Sequence, residues 1–221
     1  MIFQVSKIKQ DVRVCIDQNV SSAPLVQDDD MDMLTLQDVI GSKILEAVEL
    51  VHKAAPYWML ELGHNFSHND GDDDSRRAIY WKGVDDTCGY LLLPDDFMRL
   101  VVFEMSDWER PVYEAISTDG PMYRRQHSRV KALRGTAQRP VVALGVKPEG
   151  KTLEFWSCKS RNATVTRAVY IPFPTVDANG GVDISERCYE AVVYMCASLT
   201  MMSCGEGERA KNLMDLAKTL L

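Results

Sequence analysis

Positions 64–74 read HNFSHNDGDDD and bring His64, His68, Asp70, Asp72, Asp73 and Asp74 into one short stretch. Imidazoles and carboxylates together are the ligand set of a divalent cation, and such a cation could activate water for nuclease or hydrolase chemistry. The spacing argues against it. A calcium loop of the EF-hand type needs D-x-[DN]-x-[DN]-G with a glutamate six residues after the glycine, and that order is not met. Two histidines four apart suit zinc when a helix holds them on one face, and Asn65, Ser67 and Asn69 disfavour a helix. A solvated loop is expected here and at Asp28, Asp29, Asp30 and Asp32, with no metal and no other cofactor.

A second group of acids lies in LLLPDDFMRLVVFEMSDWERPV, positions 91–112. General acid–base work by Asp95 and Asp96 would need a partner, yet no histidine, lysine nucleophile or glycine-rich loop accompanies them. A structural corner explains them better. The leucines form a buried strand, which Pro94 ends because it has no N–H to donate. Asp95 or Asp96 then caps a single helical turn and Phe97 folds back onto the core. LVVFEM resumes the sheet, and the next turn is built around Trp108. The chain contains no phosphate-binding loop, Rossmann fingerprint, nucleophile elbow or zinc-protease motif. No enzymatic activity is expected.

The third group is cationic. YRRQHSRVKALRGTAQRP, positions 123–140, holds Arg124, Arg125, Arg129, Lys131, Arg134 and Arg139 with no acid among them, in a chain of net charge −7. Such a segment creates a local positive field suited to phosphates or to an acidic protein surface. The competing account is a solvated loop paired with the Asp-rich loops of the same chain. The dominance of arginine over lysine favours a contact role equally well.

These residues must be positioned by the elements around them. A chain of 221 residues can bury roughly 70% of the surface its unfolded form exposes, so no staple is required. The six cysteines show no C-x-x-C pair. Cys188, Cys196 and Cys204 recur every eight residues in a helical pattern and read as small core residues. No signal sequence and no apolar run near the ~20 residues of a membrane span are present, which points to a soluble chain made in the cytoplasm.

Ile8, Val12 and Cys15 mark a short first helix behind Ser6 as its cap. A longer helix carries Leu36, Val39, Ile40, Ile44, Val48 and Val51, with Thr35 and Asp38 as a capping pair and Pro56 as its stop. Six or seven short β-prone runs fill 78–175. Ile184, Cys188, Val192, Met195, Leu199 and Met202 then form one helical face, and Ala210, Leu213, Met214, Ala217 and Leu220 another. The expected fold class is α+β: residues 1–62 and 183–221 form one helical bundle, 78–175 an inserted antiparallel sandwich or barrel, and 18–34 and 63–77 polar loops.

In that order of parts, and in DMLTLQDVIGSKILEAVELV, LLLPDDFMRLVVFEMSDWERPV, the Y-x-x-Q-x-S of Tyr123, Gln126 and Ser128, LEFWSC and YEAVVYMCASL, the chain resembles the head-to-tail adaptor or tubular ring proteins of short-tailed phages, including those infecting gut bacteria. The resemblance implies a virion protein of the neck or tail, synthesised in the host bacterial cytoplasm. It implies a homo-oligomeric ring, commonly of twelve subunits, between the portal and a downstream tail or ring protein. Genomic DNA would pass through it without sequence-specific contact, and no membrane is involved. The Arg-rich segment would meet an acidic neighbour or the channel, and the polar loops would order on assembly. A metal-dependent nuclease or hydrolase using the 64–74 loop and a non-viral α+β scaffold protein are the alternatives.

Overall fold

The computed structural model describes residues 1–16, 35–67, 78–82 and 88–221. In chain order the elements begin with β1 (Ile2–Gln4), α1 (Val5–Cys15), α2 (Leu36–Ala54), α3 (Tyr57–Leu60), β2 (His64–Asn65), β3 (Tyr80–Trp81), β4 (Gly89–Leu92) and β5 (Phe97–Met105). They continue with β6 (Ile116–Ser117), α4 (Pro121–Gln126), β7 (Val141–Lys147), β8 (Gly150–Trp156), β9 (Val165–Pro172), β10 (Gly181–Asp183), α5 (Tyr189–Ser203) and α6 (Gly207–Thr219). This is an α+β fold of two compact units, Met1–Leu62 with Pro174–Leu221, and Gly63–Phe173. The segment 18–34 and residues 68–77, with His68 and the aspartates at 28–32 and 70–74, lie outside the described residues.

In the helical unit the two ends of the chain share one core. The Thr35 hydroxyl accepts from Asp38 N at 3.3 Å while the Asp38 carboxylate accepts from Thr35 N at 3.0 Å, closing the capping box that starts α2. Ile40, Ile44, Val48 and Val51 of α2 are fully buried, and Cys196 of α5 donates to Ile40 O at 3.7 Å. Tyr189 stacks on Phe3 and donates to Asp11 at 2.6 Å, tying α5 to the first residues. Ser198 donates to Ala210 O at 2.7 Å, fastening α5 to α6.

Three sequence expectations change in this unit. α1 starts at Val5 with no side-chain cap, so Ser6 is inside the helix. The chain already has its direction there, because Phe3 of β1 pairs with Val182 of β10. α5 has no single apolar face: Ala191, Val193, Cys196, Ala197, Ser198 and Thr200 are buried along with the expected stripe, as befits a helix surrounded by others. Met202 and Cys204, by contrast, are exposed at and just past the C-terminal end of α5. Among the described residues no helix is long and apolar enough to cross a membrane.

The unit formed by Gly63–Phe173 has a three-stranded sheet in the order β2-β9-β5 and a five-stranded sheet in the order β3-β4-β8-β7-β6. All pairs are antiparallel except β6 with β7. Phe66, Leu91, Phe97, Phe103, Leu153 and Phe155 belong to one buried cluster between them, with Phe103 of one sheet and Phe155 of the other at 6.3 Å between ring centroids. This unit begins at Gly63 and not at 78. His64 and Asn65 pair with Tyr170 and Val169, and Phe66 is only 2% exposed, so the start of the expected polar loop is part of the sheet. The run after Pro111 is also reduced. Val112 makes one bridge to Phe103, and only Ile116–Ser117 is strand.

Candidate interaction surface

The Arg-rich segment is a folded platform, and the residues that build it alternate with those it displays. α4 opens with Pro121 at its first position, where a missing N–H costs nothing. Tyr123 faces inward: its hydroxyl donates to Glu154 at 3.1 Å, and its ring lies edge-on to Trp156 at 5.6 Å. Gln126 is 2% exposed and bridges the segment, donating to Met122 O at 3.2 Å and accepting from Gly135 N at 2.7 Å. Ser128 offers its carbonyl to Arg134 Nε at 2.7 Å and its hydroxyl to Val130 N at 3.1 Å. A short 3-10 turn at Lys131–Leu133 and a bridge between Thr136 and Arg139 complete the fold. Gly135 sits so close to the sheet that a Cβ there would meet Ser157 Oγ at 2.5 Å.

The six expected contact residues therefore divide. Arg124, Arg125, Arg129 and Arg139 are exposed, and none makes an ion pair among the described residues. Arg134 is half-buried and braces the segment through its Nε, which donates to Ser128 O. Lys131 supplies the first residue of the 3-10 turn. Between the arginines stand exposed apolar side chains: Met122 at 42%, Val130 at 57% and Leu133 at 55%. Guanidinium groups interleaved with exposed apolar groups are the composition of a protein contact surface.

Glu154 anchors the platform, and its role was not visible in LEFW. Its side chain is 5% exposed, with Lys82 Nζ at 2.9 Å and Lys147 Nζ at 3.0 Å. Burial alone would raise the carboxyl, but hydrogen bonds and charge from the two lysines outweigh it and hold the group below the usual carboxylate range. Burial, then the neighbouring Glu154 charge, pushes the Tyr123 hydroxyl up. The lysines also lie over aromatic rings, Lys147 over Tyr90 at 4.7 Å and Lys82 over Trp156 at 5.4 Å.

The corner at Pro94–Phe97 carries the chain from β4 in one sheet to β5 in the other through a tight turn, with Phe97 N donating to Pro94 O at 3.1 Å. It contains no helical turn, so Asp95 and Asp96 cap none. Asp96 instead accepts from the Tyr170 hydroxyl at 2.8 Å. Phe97 is buried and stacks on Tyr170. Trp108 belongs to a separate turn after Met105 and packs edge-on to Phe103 at 5.6 Å. Its neighbour Asp107 accepts from the backbone N–H groups of Lys159 and Ser160, so this acid serves a remote loop and not its own turn.

His64, Asn65, Pro94, Asp95, Asp96 and Tyr170 line an open groove of about 750 Å³. Among the described residues no three His, Cys, Asp or Glu side chains come together as metal ligands. Comparison of the sequence with protein-family models and with curated proteins gives no match.

Proposed function

We propose that this chain is a structural subunit of a short-tailed phage neck, an adaptor that assembles as a homo-oligomeric ring between the portal and the next tail or ring protein. It works by contact and carries out no reaction. The genome passes through the ring without base-specific contact, and the finished protein resides in the virion after synthesis in the host cytoplasm.

One observation carries this reading: a hydrogen-bonded surface on which four arginines stand exposed without counter-charge among the described residues, beside three exposed apolar side chains. A fold gains nothing internally from holding such a set in place. The resemblance in LPDDFMRL and in the Tyr123, Gln126 and Ser128 motif directs the reading to the phage neck. Tyr123, Gln126 and Ser128 tie down the segment that carries those arginines, through Glu154, Gly135 and Arg134.

Purified protein mixed with portal rings and imaged by electron microscopy tests the proposal. An added ring of density on the portal is expected, with 124–139 at a subunit contact or at the lumen. A portal that gains no density, or a ring with that segment remote from both, would overturn it.

A further inference from the structure

The Gly63–Phe173 unit carries two charge sets of opposite sign that are unmatched among the described residues. Arg124, Arg125, Arg129 and Arg139 have no carboxylate within ion-pair distance among the described residues, and Asp95 and Asp96 have no cation. The cations stand on a surface helical turn and the loop after it. The carboxylates line an open groove whose other walls are His64, Asn65, Leu93, Pro94 and Tyr170. The Tyr170 hydroxyl holds one oxygen of Asp96 at 2.8 Å, which fixes that carboxylate without neutralising it.

A nucleic acid backbone would answer the arginines but would leave Met122, Val130 and Leu133 in water. A groove that sets two carboxylates beside Pro94 and the edges of Leu93 and Tyr170 answers the charge and offers the apolar groups some cover. We infer that Arg124 and Arg125 of one copy dock into the Asp95–Asp96 groove of a second copy. This rests on the proposed ring assembly and names its contact. Guanidinium forks match carboxylates in geometry as well as charge, so the pairing selects orientation. Each copy offers one surface and receives the other, so the contact is heterologous. Its repetition closes a ring when the rotation per subunit divides the circle.

Two sets of substitutions test it by sedimentation velocity, with circular dichroism to verify folding. Arg124→Glu with Arg125→Glu sets carboxylates against the carboxylates of the groove. Asp95→Lys with Asp96→Asn sets a cation against the arginines and keeps an acceptor for Tyr170. Each variant alone is expected to assemble only at a concentration at least about tenfold above wild type, the effect of losing one or two charge pairs. An equimolar mixture is expected to recover wild-type assembly, because each variant's altered surface matches the other's. Wild-type assembly that both variants retain, or a mixture that fails to recover it, overturns this contact and leaves the ring proposal standing. Loss of DNA retention by Arg124→Glu with Arg125→Glu, with assembly intact, also overturns it and assigns the arginines to the genome. A wild-type chain that stays monomeric at every concentration, and on the portal, overturns the ring proposal itself.

Discussion

Glu154 and the Asp95–Asp96 corner belong to the same folding unit, yet their carboxylates are handled in opposite ways. Glu154 is buried on the outward side of β8, clamped by two lysines and a tyrosine hydroxyl. Asp95 is exposed, Asp96 keeps one neutral donor, and neither has a cation among the described residues. A buried charge must be paired where it stands, whereas a charge at the surface can remain available for another molecule. The same division separates Arg134, spent on Ser128 O, from its outward neighbours Arg124 and Arg125. Groups settled inside the chain make the scaffold, and groups left outside stay open to another molecule.

The largest effect that would sharpen this contrast is in the helical unit. His52 is 2% exposed, and burial lowers its pKa to about 4. The unfolded chain, with an ordinary imidazole, takes up the proton first as pH falls. Stability is thus complete above about pH 6.5 and is lost progressively toward pH 4, by up to about 3 kcal/mol. Urea unfolding across that window measures it, and His52→Leu should flatten the slope; an unchanged slope would remove His52 from the scaffold.

Next, Glu154→Gln should lower the unfolding free energy by about 2 kcal/mol, because two partly buried lysines lose their counter-charge. It should also speed hydrogen exchange across 121–128, since Tyr123 loses its charged acceptor. Gln126→Ala strands the Gly135 N–H and should cost about 1 kcal/mol, with faster exchange confined to the platform. Smallest of all, Asp95→Asn and Arg124→Gln should each change stability by less than about 0.5 kcal/mol. A cost from either as large as that of Glu154→Gln would break the contrast, since it would make the outward charges part of the scaffold.

Legibility followed locality. The Thr35–Asp38 capping box was readable because both partners lie within one helical turn, and Pro56 announced the end of α2. α5 misled because apolar periodicity marks one face only when the other meets water, and here nearly every side is covered. The polar letters of Gly63–Asn65 hid β2, whose stability comes from its partner strand β9 and from Phe66. At the candidate site the cations could be counted from sequence, but not sorted. Arg134 and Arg139 look alike in a string, and only folding gives one a carbonyl and the other open water. Glu154 was hidden for the same reason, since Lys82 and Lys147 reach it from different parts of the chain.

The pairing of His64 with Tyr170 has a further consequence for how the polypeptide is threaded. The strand that opens the sheet-bearing unit and the strand that closes it lie side by side, so the chain departs and returns through one doorway. For the two halves of the helical unit, everything between behaves as a short tether, and its length adds little to the entropy of bringing them together. A module attached in this way can lengthen, shorten or change its outer loops over generations while the helices continue to find each other.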